Sequence, residues 1–202
     1  MTSIATNKQI GLWEVAGVFF IVMVAGPMHE MFAQSGDWRP LALIAPVNES
    51  IWEHQKMNFW PGLLFAGFQY LVIGKRIPNY WSGKLVGLIV APILAVLTYI
   101  LYIEVERASA QFAPNLIVTS ALSVLCVCIA QALCYRVLTG PPLAESFARV
   151  TQAGYLLLIV AFSTLTYFPP KAFLFEHMHH YEPIGQYGID VDPEVGPHPW
   201  EK

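Results

Sequence analysis

Five long runs of apolar residues, broken by short polar connections, organise the 202-residue chain. They cover Leu12–Ala33, Met57–Gly74, Gly83–Ile103, Leu116–Tyr135 and Thr151–Phe168. A bilayer core takes about 20 apolar residues in helical form, because every backbone amide must find its partner within its own segment. The pattern therefore predicts an all-α integral membrane bundle of about five transmembrane helices, with spans 12–33, 57–74, 83–103, 116–135 and 151–168. Together these make one domain, 1–170. Residues 171–202, rich in proline, glycine and acid, are expected to form an irregular, acidic, histidine-containing tail outside the membrane.

Between the first two spans lies a polar segment, Pro46 to Lys56, that reads as a short interfacial helix. Asn48 suits its N-cap, with Glu49 at the positive end of the helix dipole. Four-residue spacing would put Glu49 and Glu53 on one face, and Ser50 and His54 on a neighbouring one. Trp13 and Trp81 are placed at one membrane surface; Trp38, Trp52 and Trp60 are placed at the other. Thr139-Gly140-Pro141-Pro142 reads as a turn between spans four and five, and Pro169-Pro170 as the stop of the fifth.

Composition sharpens this picture. Apolar residues make up 55% of the chain and charged residues 12%, about half the charged share of a soluble domain. A net charge of −3 leaves no basic surface for nucleic acid, so that partner class is excluded. Lys8, Lys75, Arg76, Lys84, Arg136 and Arg149 fall on the N-terminal side, against Arg39, Lys56, Arg107 and Lys171 near the other ends of the spans. This bias favours an N-terminus inside and a tail outside. Lys84, just within the third span, is expected to snorkel to the surface. Cys126, Cys128 and Cys134 share one apolar run and read as packing residues.

In the third span, Gly83, Gly87, Ala91 and Ala95 recur every four residues and form a smooth stripe. Small side chains let another helix approach closely, either from a second subunit or from within the chain. Pro92 beside the stripe is expected to kink the helix.

All six histidines, with most of the acids, fall toward the outer side. Glu49, Glu53 and His54, facing His29–Glu30 from the first span, could hold iron, zinc or manganese, which suit carboxylate and imidazole. The competing reading is an ion-paired knot pinning the first hairpin, with His29 bound to Glu49 or Glu53. His177, His179 and His180, beside Met178, could bind copper or zinc. A haem held by this chain alone is not expected, since only His29 lies within a span. Gln69 and Gln131 read as interhelical glue, and no continuous polar chain suggests a proton pump.

The Val47-Asn48-Glu49-Ser50-Ile51-Trp52-Glu53-His54 segment, the Phe59-Trp60-Pro61 entry to span two and His29 resemble the pattern of a family of small bacterial polytopic membrane proteins that carry a V-N-E-S-x-W-E-H motif. Thr166-Tyr167-Phe168-Pro169-Pro170, Leu174-Phe175 and Tyr187-Gly188-Ile189 resemble its closing pattern. The resemblance implies the polytopic architecture and a bacterial inner membrane. It draws attention to His29, Asn48, Glu49, Trp52, Glu53 and His54 without giving them roles. The histidine cluster at Glu176–Glu182 and the acidic tail beyond Ile189 depart from that pattern.

Three functions follow as expectations. The first is a non-catalytic accessory or structural subunit of a larger membrane complex, such as a bioenergetic or oxidoreductase assembly, with lipid and other subunits as partners. The alternative is a metal-binding membrane protein, or a metal-dependent membrane enzyme, using a transition metal (copper, zinc or iron) at the outer face. A small-molecule transporter is the second alternative, although no internal repeat or broken helix pair supports it.

Overall fold

The computed structural model describes residues 4–108, 115–179 and 182–190. Among the described residues are five α-helices, α1 (Asn7–Gln34), α2 (Ile51–Val72), α3 (Tyr80–Ala108), α4 (Leu116–Leu138) and α5 (Ser146–Thr164), followed by strands β1 (Glu176–His179) and β2 (Glu182–Tyr187). Local chemistry sets several of the boundaries. Thr6 opens α1 with a reciprocal capping box to Gln9. The helix stops where Gly36 and Asp37 take positive φ, 70° and 58°. Asn115 caps α4 by accepting from the Ile117 and Val118 amides. Pro27, Pro61 and Pro92 all lie inside continuous helices.

Among the described residues, α1, α3, α4 and α5 are long and apolar enough to cross a membrane. The second expected span corresponds to α2, which is helical but is not among these four, because its first turns carry Glu53, Gln55, Lys56 and Asn58 and dilute its apolar character. Residues 46–56 form no separate interfacial helix. Residues 51–72 are one helix, so the polar segment and the apolar run share an axis. Ser50, not Asn48, is the N-cap and accepts from the Glu53 amide, because Asn48 instead folds back onto the Ser50 amide. Helix α5 ends at Thr164, ahead of Pro169. Within 171–190 the tail is not wholly irregular: β1 and β2 pair antiparallel, with Glu176 opposite Tyr187 and Met178 opposite Pro183.

Helices α1 to α4 form the body, α3 packing most extensively on α4 and α1 touching both α2 and α4. Helix α5 rests against α3 and contributes only Thr151 and Phe162 to the buried set. Large apolar side chains such as Phe19, Met23, Leu97, Leu156 and Leu157 face outward. Such a surface suits hydrocarbon rather than water.

Close helix approach depends on small residues. A Cβ on Gly83 would lie 2.6 Å from Leu138, and one on Gly87 would lie 3.5 Å from Cys134, so this part of the α3 stripe packs within the chain, on α4. The tightest crossing is at Gly17 of α1, where a Cβ would meet Gln131 at 2.5 Å and Phe65 at 2.7 Å. Gly17→Ala is therefore expected to destabilise the fold by about 1–3 kcal/mol through overpacking. Gly67 has nothing within 4 Å of the same position. Gly67→Ala is expected to be neutral or stabilising by up to about 1 kcal/mol. Denaturant unfolding in micelles compares the two, and equal effects would contradict the packing argument.

Lys84 does not snorkel. Its Nζ is buried and donates to both Glu14 oxygens at 2.7 and 2.8 Å. Gln69 donates to the same carboxylate at 2.9 Å. A partner one helix away removes the need to reach water, which side-chain length alone could not reveal.

Candidate metal centre

At the opposite end of the bundle, a fully buried ion pair forms the floor of the site. Lys56 Nζ donates to Glu53 Oε2 at 2.8 Å, to the carbonyls of Ala42 and Ala45 at 2.7 and 3.2 Å, and to Thr166 Oγ1. Thr166 in turn donates to Glu53 Oε1 at 2.6 Å, and the Val47 amide donates to Glu53 Oε2 at 3.1 Å. Glu53 is thus spoken for. This knot ties the connection after α1 and the end of α5 to the first turn of α2.

The knot places Glu49 just ahead of α2, facing two histidines. His29, one turn from the end of α1, and His54, in the first turn of α2, approach with Nε2 to Nε2 of 3.3 Å. His29 Nε2 lies 3.6 Å from Glu49 Oε1, and His54 Nε2 lies 3.5 Å from Glu49 Oε2. The three ligand atoms all lie within 4.8 Å of one another. His54 is the most open member, its side chain 35% exposed.

The second ring nitrogens are committed. His29 Nδ1 donates to Glu30 Oε1 at 2.9 Å, and His54 Nδ1 donates to the Ser50 carbonyl at 2.9 Å. With both protons held on Nδ1, two neutral rings would bring their Nε2 lone pairs to 3.3 Å, whereas a proton on either Nε2 makes the same contact an N–H···N hydrogen bond. Two lone pairs at 3.3 Å repel unless a cation stands between or beside them.

The remaining residues of the motif take other parts. Asn48 Nδ2 donates to the Gly188 carbonyl at 2.8 Å, while its Oδ1 accepts from the Ser50 amide. Trp52 stacks on Phe162 at 4.8 Å and meets Phe175 at 4.9 Å, packing α5 and the tail against α2. His177 reaches the site from β1, its Nδ1 accepting from the Glu49 backbone amide at 3.0 Å. The His179 side chain and His180 lie outside the described residues. The spacing argument had paired Glu49 with Glu53 on one helix face. Glu49 precedes the helix, so only Glu49 joins the histidines. Neither Lys56, three residues after Glu53, nor Thr166, in the closing pattern, carries a sequence signal that the two would meet at the Glu53 carboxylate.

A bundle of membrane-length helices with two imidazoles and a carboxylate converging at one end defines a helical membrane protein with a polar site at its rim. Residues 2–189 match the model of a family described as a family of unknown function (DUF6512), and the chain belongs to that family. No curated protein matches the chain, and no solved structure does.

Proposed function

We propose that the protein binds a divalent transition metal through His29 Nε2, His54 Nε2 and the Glu49 carboxylate. The observation that carries this reading is the 3.3 Å Nε2–Nε2 separation between rings whose Nδ1 atoms are both already donors. With metal–nitrogen bonds of about 2.0–2.1 Å, the edge of a tetrahedron is roughly 3.3 Å. The carboxylate oxygens lie a few tenths of an ångström farther out, within reach of a small rotation. Glu30 and the Ser50 carbonyl supply the outer partners that fix the tautomer and aim of ligating histidines. Zinc fits this donor set best, and iron or manganese share it. Three protein ligands leave a fourth position for water or another small ligand, on the side where His54 is exposed.

Elemental analysis of the full chain, purified in detergent after growth with added zinc, tests the proposal. About one ion per chain is expected, lost on acidification because imidazole must be neutral to bind. Less than about a tenth of an ion per chain at neutral pH, with zinc, iron and manganese each supplied, would overturn it. The cluster would then be a pair of imidazoles sharing a proton beside Glu49.

A second reading, an accessory subunit of a larger assembly in a bacterial inner membrane with the tail outside, is favoured by α5. That helix buries only two residues and turns its apolar length outward. A monodisperse single chain with no co-purifying subunit in mild detergent would remove this reading.

A further inference from the structure

We infer that His177 is a positioning residue for Glu49, so that the C-terminal hairpin is a working part of the metal site; the inference rests on the metal-binding reading above. Glu49 sits in the connection before α2, one residue ahead of the Ser50 N-cap. Its neighbours are held from nearby: the Val47 amide by Glu53, three residues into α2, and the Ser50 amide by Asn48. The Glu49 amide alone of these three is held from a distant part of the chain, by His177 Nδ1 across 128 positions of sequence.

The strand that carries His177 is itself fastened. Glu176 Oε1 accepts from the Gly185 amide at 2.6 Å across the hairpin. Beyond β2, the Gly188 carbonyl receives Asn48 Nδ2, and Asp190 meets Arg39 at 2.5 Å. Gly188 has φ of 74°, and a Cβ there would lie 2.8 Å from the Thr166 carbonyl, so the chain passes where only glycine fits. Met178, next to His177, is buried. The segment that follows His177 is thereby docked against the connection that carries the carboxylate ligand at two further points, Asn48 and Arg39, both ahead of Glu49 in the sequence.

The required feature of His177 is an acceptor at the Nδ1 position. The ring must carry its hydrogen on Nε2, since a donor at Nδ1 would face the Glu49 N–H. An asparagine at 177 places its amide oxygen one bond beyond Cγ, where Nδ1 stands, whereas alanine offers nothing there. Cobalt(II) titration of the full-length chain in micelles, followed by its d–d absorption and by competition with zinc, reads both affinity and coordination geometry. His177→Ala is expected to weaken binding by about 10- to 100-fold, the usual cost of losing a group that orients a ligand. His177→Asn is expected to stay within about threefold of the parent with the same spectrum, and circular dichroism and size-exclusion profiles check that both variants fold.

If His177→Ala binds as tightly as the parent, the inference is overturned while the metal site stands. If the two variants are equally weakened, or the spectrum loses a nitrogen ligand in both, acceptance at Nδ1 is not the role, and the inference fails in favour of direct ligation. If the parent binds no metal, the metal site falls and the inference falls with it.

Discussion

His54→Ala is expected to remove stoichiometric zinc from the purified chain, lowering affinity by more than about 100-fold. Loss of a group that merely orients a ligand already costs about 10- to 100-fold, and His54 would be a ligand. His54 also offers the clearest structural control. Its Nδ1 touches only the Ser50 carbonyl, an acceptor that already receives the His54 amide as part of α2, and its side chain is partly exposed. Truncation there empties the coordination sphere without opening the core. A graded series should follow, with Glu30→Ala losing about 10- to 100-fold because only the His29 Nδ1 partner is gone. Isothermal titration with zinc measures the series. Parental affinity in His54→Ala would exclude the His29, Glu49 and His54 set.

The largest stability effect is expected at Lys56. Lys56→Met should destabilise the fold by about 3–5 kcal/mol, because it leaves the buried Glu53 carboxylate without its counter-charge and the Ala42 and Ala45 carbonyls without their donor. The side chain is 0% exposed and Glu53 is 2% exposed, so water cannot compensate. Adding Glu53→Gln to Lys56→Met should recover part of the loss, since an amide can still engage Thr166 and no charge remains buried. Reversible unfolding in mixed micelles compares parent, single and double variants. A cost below about 1 kcal/mol for Lys56→Met, or a double variant worse than the single one, would contradict the role assigned to this pair.

Both experiments separate two properties that meet in one short segment. The knot around Glu53 and Lys56 serves stability, and the cluster around Glu49 and His54 carries the proposed chemistry. The motif residues of the Val47–His54 segment divide between these tasks: Asn48 and Ser50 shape the entry to α2, Trp52 packs α5, Glu53 faces inward and Glu49 faces the histidines.

The amino-acid sequence determined the places and approximate lengths of the five helices, because runs such as Leu116–Tyr135 and Gly83–Ile103 can satisfy their backbones in hydrocarbon only as helices. It also indicated that the histidines and most of the acids lie toward one end, since charged side chains are disfavoured in the middle of those runs. Periodicity reports the medium that a segment faces. It does not report which polar group of a distant segment will be met there. The tertiary structure therefore decided that Lys84 is paired with Glu14 rather than led to the surface, and that Lys56 claims Glu53 and leaves Glu49 to the histidines. It decided as well that His177 returns to the Glu49 amide, a contact closed across most of the chain by the docking of a hairpin that no apolar pattern announces.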